Sequence, residues 1–496
     1  MNRSSAFPTL LRVVAWACLL AAPLVSAQAI APATPDAISE PRHRLLVLTD
    51  IEADPDDAQS LIRLLLYSNQ IDIEGLVATT SVHQPHAVHP ESIHRLIDAY
   101  GSVRKNLLLH EAGFPEVAHL HNRVSSGQPH AGLDAIGEGL DSPGSNLIIA
   151  ALRRPDPRPL WVSVWGGVNT LAQALRTIQA TENPTEARRL IAKLRVYTIS
   201  DQDNTGPWIR REFPHLFYVV SPGGYGASVW IAITRDMEGA NNATVSNSWL
   251  AENIQQGHGP LGAMYPDVAY GLEGDTPAFL SLIPNGLSVP EHPDWGGWGG
   301  RYELKIPDPA TLDLDGFIGI PYVPETRPIW TNASDSFAPR IRAEFGRAVK
   351  PGEHTYSGPR VTLWRWREEF QHDFAARMDW CTRDFTHANH PPVPRLPHPD
   401  RLNAHSGEVF ELSAEGTSDP DGDSLSYEWF HYKEVGGWGD EIKAHVRAPN
   451  LYAVPFKAPD VREPRDAHFI LKVTDKGVPA LTRYRRVIVT VHPRQS

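Results

Sequence analysis

Apolar runs alternate with helical patterns through the N-terminal part of this 496-residue chain. Leu45–Thr49 is a continuous apolar and β-branched run, which predicts a buried strand. Leu61, Leu64 and Leu65 then recur at the spacing of one helix face. Similar strand-like runs follow at 71–80, 159–164 and 194–199, with helical segments between them. This alternation predicts an α/β fold with a mostly parallel open sheet and flanking helices.

The pattern changes towards the C-terminus. Residues 389–400 are rich in proline and predict a linker that ends an α/β domain of residues 43–388. Short alternating strands follow at Val409–Leu412, Leu425–Tyr432, Phe469–Thr474 and Tyr484–Val491. They predict a small immunoglobulin-like β-sandwich over residues 401–496. The chain length also fits a large domain followed by a small one.

The first residues have the features of a secretory signal. Arg3 and Arg12 precede an apolar run at 13–25 that is too short to span a bilayer comfortably. Val25-Ser26-Ala27 then fits a small-residue cleavage site, with Ala27-Gln28-Ala29 as the alternative. We therefore predict a signal peptide at 1–27, a disordered leader at 28–42, and export to the periplasm or the outside, with no membrane contact after cleavage.

The net charge and the cysteine content argue against nucleic-acid binding and against an internal disulfide. The formal net charge is −12, and loss of Arg3 and Arg12 with the signal makes the chain more acidic. Without a basic run, a nucleic-acid partner is not expected. Cys381 is the only cysteine outside the signal, so no internal disulfide is expected, and its apolar neighbours favour a buried structural thiol over a nucleophile.

An acidic loop directly follows the first strand. Five carboxylates fall within residues 50–57: Asp50, Glu52, Asp54, Asp56 and Asp57. Like charges this close repel each other unless a cation neutralises them or one stays protonated. The alternative is an acidic helix N-terminus, which capping and the helix dipole favour, but this accounts for two of the five. The loop therefore predicts a divalent metal site.

Polar residues also follow the other predicted strands. Asp201 and Asp203 come after the fourth strand, at the sheet edge where open α/β folds bind ligands. They are candidates for substrate contact, and the alternative is that they cap their own loop by hydrogen bonds. After the second strand come His83, His86 and His89, and the prolines among them favour scattered loop or substrate contacts over a zinc site.

Two further stretches suggest ligand binding. Trp295 and Trp298 lie in a glycine-rich loop, where exposed rings would suit the apolar faces of sugars. The alternative is that these rings are packed into the flank of the domain. In the C-terminal part, Asp419-Pro-Asp421-Gly-Asp423 looks like the turn of polycystic-kidney-type and cadherin-like modules. Such a turn either binds calcium or only hydrogen-bonds to itself.

Several segments carry a resemblance to one family: PDDAQSLIRLLLYSNQIDIEGLVATTS, ISDQDNTGPWIR, GDTPAFL, WGGWGGRYE and DPDGDSLSYEW. The acidic loop is similar to D-x-D-P-G-x-D-D, the opening motif of nucleoside hydrolases. The chain as a whole, from about Leu45 to Val491, resembles the cellulose-binding, nucleoside-hydrolase-like proteins that end in a β-sandwich.

The resemblance implies a calcium ion with four ligands: Glu52, Asp57, Asp275 and the main-chain carbonyl of Asn169. It also implies that Glu52 is the general base and that Asp56 accepts a hydrogen bond from a sugar hydroxyl. Because Glu is one methylene longer than Asp, the neighbouring Asp54 is an alternative base. His83 or Gln84 would bind substrate hydroxyls. Gly274 stands where some family members have a histidine that protonates the leaving base.

The leading hypothesis is an exported, calcium-dependent hydrolase of a glycosidic or N-glycosidic bond. Its substrate would be carbohydrate or nucleoside-like, with a polysaccharide as one form. The alternative is a non-catalytic carbohydrate-binding protein that uses the sandwich and the tryptophan loop on a cellulose-like polymer. An adhesion module is a third and weaker hypothesis, which rests on the sandwich alone.

Overall fold

The computed structural model describes residues 42–342, 349–351, 354–439, 442 and 450–494. The predicted signal peptide at 1–27 lies outside the described residues, as does the predicted leader apart from Arg42. Among the described helices, none is long and apolar enough to cross a membrane.

One eight-stranded sheet organises the N-terminal part. Its strands are β1 (His43–Thr49), β2 (Ile71–Ala78), β3 (Val124–Ser126), β4 (Leu160–Val164), β5 (Leu194–Thr198), β6 (Phe217–Val220), β7 (Tyr302–Lys305) and β8 (Ile329–Asn332). The strand order is β3-β2-β1-β4-β5-β6-β8-β7. All pairs are parallel except β7 with β8 at one edge. The predicted α/β fold class is confirmed.

Helices cover both faces of this sheet. They are α1 (Asp56–Leu66), α2 (Pro90–Leu107), α3 (Val117–His121), α4 (Pro143–Arg153), α5 (Asn169–Thr181), α6 (Pro184–Ile191), α7 (Thr205–Glu212), α8 (Ile231–Thr234), α9 (Asn247–Leu250), α10 (Gly259–Ala263), α11 (Pro277–Leu280), α12 (Val361–Trp364) and α13 (Arg367–Asp379). The central strands are buried on both faces, which explains their unbroken apolar sequences.

Shorter strands connect the sheet to a β-sandwich. Two small pairs are formed by β9 (Asp335–Phe337) with β12 (Tyr356–Gly358), and by β10 (Arg340–Arg342) with β11 (Val349–Pro351). The sandwich strands are β13 (Arg401–His405), β14 (Val409–Ser413), β15 (Ser426–His431), β16 (Ala453–Lys457), β17 (Arg465–Thr474) and β18 (Thr482–His492). They form a four-stranded sheet, β13-β18-β17-β15, and a two-stranded sheet, β14-β16.

The sandwich packs closely on the α/β part. Ile470 and Tyr484 from the sandwich belong to the same buried apolar cluster as α1 and α13. Arg483 of β18 donates to Oδ1 of Asp373 on α13 at 2.6 Å, and Asp373 is buried. A shared apolar core crossed by buried ion pairs holds the two parts in a fixed arrangement.

The proline-rich segment 389–400 runs between the two parts and is held by both of them. Asn389 is buried, its carbonyl accepts from Trp380 at 2.9 Å, and its side chain donates to Asp475 at 3.2 Å. His390 is also buried and donates its backbone N–H to Asp421 at 2.7 Å. The predicted linker is therefore a fixed connection over its first residues.

Candidate metal and substrate site

The site lies at the carboxyl ends of the central strands. In the strand order, β1 has β2 on one side and β4 on the other, so the connections after β1 and β4 leave in opposite directions. Such a switch point opens a crevice in an α/β sheet. The acidic loop after β1 lies there. The backbone N–H of Ala53 donates to the Asp50 carbonyl at 2.9 Å, and that of Asp56 to Oδ1 of Asp54 at 2.8 Å.

Three aspartates meet in this crevice. Asp56 and Asp57 begin α1, and Asp275 precedes the short helix α11. One carboxylate oxygen from each lies within 4.8 Å of the others. We call these residues the carboxylate cluster. The structure therefore brings together two of the predicted metal ligands, Asp57 and Asp275, with Asp56, which was predicted to bind a sugar hydroxyl.

Burial and repulsion shift the pKa values of the cluster. Burial is the largest cause of a pKa well above the usual range for each of the three carboxyls. The charge of Asp50 adds to the shift at Asp57, and the charge of Asp56 adds to that at Asp275. Three carboxylates this close together, two of them buried, therefore require protons or a cation.

The donor set fits a hard divalent cation. Oδ2 of Asp275 is buried and has no hydrogen-bond partner among the described residues. By contrast, Oδ2 of Asp56 accepts from the backbone N–H of Gly274 at 3.1 Å, and Asp57 accepts from the hydroxyl of Thr49. A set made only of oxygen donors, with one buried oxygen unpaired, matches the preference of calcium.

Glu52 is not one of the converging carboxylates, so its predicted place among the ligands is not supported. It has a positive φ of 85°, and its side chain is 46% exposed. Oε1 accepts from Arg95 at 2.9 Å and also from the hydroxyl of Ser92, both on α2. The left-handed backbone directs the side chain towards α2, which also argues against the predicted role of Glu52 as general base.

Asn169 begins α5 and is fully buried. Its side-chain amide donates to the carbonyl of His130 at 2.7 Å and to Oγ1 of Thr80 at 3.3 Å. Its backbone N–H donates to Oδ2 of Asp203 at 3.1 Å. The role of its main-chain carbonyl as a metal ligand stays a prediction.

Asp201 and Asp203 have structural partners. Both oxygens of Asp201 accept from the buried guanidinium of Arg210, at 2.8 Å each. Asp203 accepts from the backbone N–H groups of Asn169 and Thr205, at 3.1 and 2.8 Å. The contacts of Asp203 correspond to the alternative of a loop-capping carboxylate, whereas Asp201 forms an ion pair with a side chain. The predicted substrate contacts of both residues stay a prediction.

His83 and Gln84 lie beside the acidic loop. Gln84 donates to the carbonyls of Asp50 and Ile51 at 3.3 and 3.1 Å, so it holds the loop in place. His83 is exposed, and its Nε2 lies 3.1 Å from the hydroxyl of Tyr225. Of the two, His83 remains the candidate for substrate contact.

Sequence reasoning named His83 but missed its two aromatic neighbours, Tyr225 and Phe317. The ring of Phe317, which is 67% exposed, lies 5.6 Å from the ring of His83 and 5.1 Å from that of Tyr225. We call His83, Tyr225 and Phe317 the aromatic rim. They are distant in sequence and follow no period, so only the glycines around Phe317 hinted at a loop.

The rim leads towards the carboxylate cluster. Tyr225 contacts Trp230 edge to face, with centroids 5.0 Å apart. A Cβ placed on Gly274 would lie 3.2 Å from the ring of Trp230 and 2.7 Å from Oδ2 of Asp56. Burial raises the pKa of Tyr225, and the charges of Asp50 and Asp56 contribute to the shift. Aromatic faces and carboxylates therefore lie side by side, as in carbohydrate-binding pockets.

The tryptophan loop does not form an exposed platform. Trp298 is fully buried and donates to the hydroxyl of Tyr484 at 3.4 Å. Trp295 is half-buried and stacks on His292, with centroids 4.0 Å apart, while its edge faces His468. The predicted exposure is wrong for Trp298, and both rings pack where the sandwich meets the α/β part. A sugar contact at the half-buried Trp295 stays a prediction.

Comparison with known proteins places the chain in a family. The model described as "Cellulose-binding Sde182, nucleoside hydrolase-like domain" matches residues 44–302. The chain belongs to this cellulose-binding, nucleoside hydrolase-like family. A second model, "Cellulose-binding protein Sde0182, C-terminal domain", matches residues 409–491. The comparison with curated proteins gave no match.

A solved structure agrees with this assignment. A nucleoside hydrolase-related hypothetical protein from Saccharophagus degradans, described as associated with carbohydrate metabolism, is 34% identical. The match covers 91% of this chain and 100% of that chain, with a TM-score of 0.74. The match to the effector protein XOO4466 covers 59% of this chain and 89% of that chain, at 11% identity and a TM-score of 0.32.

Proposed function

We propose that this protein binds calcium at the carboxylate cluster and hydrolyses a glycosidic or N-glycosidic bond of a carbohydrate-related substrate. The observation that carries the proposal is the buried Oδ2 of Asp275, which has no partner among the described residues and lies among three converging carboxylates. A cation held by Asp56, Asp57 and Asp275 would supply positive charge that orients substrate hydroxyls and polarises water.

The surrounding side chains supply the remaining functions. Asp54 replaces Glu52 as the proposed general base, because it is partly exposed and its charge contributes to the raised pKa values of Asp56 and Asp57. The aromatic rim stacks on the ring of the substrate or of its leaving group. The hydrogen-bonded pair of His83 and Tyr225 is the proposed proton source for that group.

The test combines metal binding and turnover. The protein is freed of metal with a chelator, titrated with calcium by calorimetry, and assayed on nitrophenyl glycosides, cello-oligosaccharides and nucleosides. We expect D57N to lose a calcium site and all hydrolysis, and D54N to bind calcium but lose turnover. E52Q serves as the matched control and should retain both. Hydrolysis by D57N at the wild-type rate would refute the proposal.

A second candidate function is carbohydrate binding without catalysis. The observation that favours it is the contact of Glu52 with Arg95, which pairs the expected base with a cation of α2. The family description as cellulose-binding also supports it. Retention on insoluble cellulose by both wild type and D54N, with no turnover of any substrate in the screen, would favour binding over catalysis.

We also propose that the protein is exported. The support is the sequence alone, namely Arg3 and Arg12, the apolar run at 13–25, and the small residues that end at Ala27. N-terminal sequencing of the protein from a secreting host should begin at Gln28. A mature chain that still begins at Met1 would contradict this.

A further inference from the structure

In the described part of the chain, the aspartate turn of the sandwich contains a carboxylate oxygen without a partner. Oδ1 of Asp419 accepts from the backbone N–H groups of Asp421 and Asp423, at 2.9 and 3.0 Å, so this oxygen closes the turn. Oδ2 of Asp419 is buried and has no hydrogen-bond partner among the described residues. Hydrogen bonds within the turn therefore satisfy only one of the two oxygens of the Asp419 carboxylate.

A second carboxylate with the same property comes from the β17–β18 hairpin. Asp475 is fully buried. Its Oδ1 accepts from the backbone N–H groups of Gly477 and Leu481, at 3.0 and 2.9 Å, and from the side chain of Asn389 at 3.2 Å. Its Oδ2 has no partner in the described part of the chain.

The two carboxylates are linked through consecutive residues. Asn389 donates to Oδ1 of Asp475 at 3.2 Å, and His390 donates its backbone N–H at 2.7 Å to Asp421, which lies in the turn that Asp419 closes. Burial raises the pKa of Asp475 to about 6, and the negative charge of Asp419 adds to the shift. Burial also raises the pKa of Asp419, to which the charges of Asp421 and Asp423 contribute. Each carboxylate thus has one oxygen fixed by the backbone and one oxygen that is unpaired within the described part of the chain, in a negatively charged surrounding.

We infer that a divalent cation, with calcium the best match to the donors, binds between Asp419 and Asp475 in the sandwich. Carboxylate oxygens, with turn carbonyls and water as further ligands, form the hard donor set that calcium prefers. The fixed Oδ1 atoms leave both Oδ2 atoms available without any rearrangement of the turn or the hairpin.

This second site would also strengthen the connection between the two parts of the molecule. The carboxylate of Asp475 accepts a hydrogen bond from Asn389. The carboxylate of Asp421 contacts His390, whose backbone N–H lies at 2.7 Å and whose Nδ1 lies at 3.0 Å. Both residues belong to the segment that leaves the α/β part. A cation at this position therefore stabilises the segment as well as the sandwich.

Calorimetric calcium titration of the full-length mature protein tests the inference. We expect D475N to lose one site, seen as at least about a tenfold fall in affinity at that site, while the site removed by D57N stays. In the D57N background, calcium should still raise the melting temperature, and D57N/D475N should show no rise. D460N, which removes an exposed acid of the same sandwich, is the matched control and should bind as wild type does.

Three outcomes decide the question. Loss of a site in D475N but not in D460N supports the inference, whatever D57N does. Unchanged calcium binding in D475N overturns it and leaves a proton shared between the two carboxyls as the explanation. If D475N does not fold, D419N takes its place, and unchanged binding in that variant overturns the inference equally.

Discussion

The backbone N–H of Gly274 donates to Oδ2 of Asp56 across 3.1 Å, and this contact fixes one wall of the carboxylate cluster. Space at Gly274 is limited, because a Cβ there would lie 2.7 Å from the same oxygen. A histidine at this position, as in some nucleoside hydrolases, would therefore displace Asp56. The observed position of the Asp56 side chain therefore requires a residue without a Cβ at position 274.

This relationship predicts the effect of G274A. The added methyl group pushes Asp56 away from Asp57 and Asp275, so calcium affinity should fall by about tenfold or more while the fold is kept. Calcium calorimetry measures the effect. G137A is the control, because a Cβ there makes only an ordinary contact with Leu140 at 3.5 Å. Equal affinity in the two variants would contradict the role given to Gly274.

The aromatic rim predicts a binding defect without a stability defect. Phe317 is exposed, so F317A should change the free energy of unfolding by less than about 0.5 kcal/mol. Loss of a stacking face should weaken substrate or oligosaccharide binding by about five- to tenfold. L109A removes another exposed apolar side chain, away from the rim, and should bind normally. Titration with cello-oligosaccharides, or with a substrate from the screen, compares the two.

The buried ion pair between Asp373 and Arg483 of the sandwich should contribute to the free energy of unfolding. Burial alone would raise its pKa, but the charges of Arg483 and Arg377 outweigh burial and lower it. D373A leaves the arginines buried without this carboxylate and should cost about 3–5 kcal/mol of unfolding free energy. D460A, which breaks the exposed pair with Arg494, should cost less than about 1 kcal/mol. Urea denaturation gives both values, and a similar small cost for both variants would contradict a stabilising role for the buried pair.

His468 predicts a pH dependence of stability. Burial lowers its pKa to about 3 from an ordinary value of 6.5, and the charge of Arg486 adds to the shift. Between about pH 3 and 6.5, the His468 imidazole is protonated in the unfolded chain and neutral in the folded chain. The free energy of unfolding therefore rises with pH over this range, and the full contribution of His468 is reached above it.

H468Q should therefore flatten this dependence. Between about pH 4.5 and 7, the gain in unfolding free energy should be smaller than in wild type by about 2 kcal/mol. Denaturant unfolding at the two pH values measures it, with the exposed H215Q as the control. An unchanged slope in H468Q would show that another group causes the pH dependence.

The elements that the sequence predicted best are those whose structure follows from the local pattern of apolar and polar residues. The run Leu45–Thr49 is apolar throughout because β1 is covered on both faces, and the acidic loop follows from where that strand ends. The direction of Glu52 depends instead on a positive φ and on Arg95 of α2, neither of which is visible in the local pattern. Composition suggested exposed rings at Trp295 and Trp298, but their burial depends on β17 and β18, far along the chain.

The hydrogen bonds of Arg486 argue against dividing this protein into separately expressed domains. From β18 it donates to the carbonyl of Leu287 at 2.8 Å and to those of Trp295 and Gly296 at 3.1 Å each. A fragment cut at residue 400 would leave this guanidinium, together with Ile470 and Tyr484, facing solvent without the surface that covers them. The sandwich is therefore a poor candidate for a transferable affinity tag, and fusion proteins built from this chain should carry both parts.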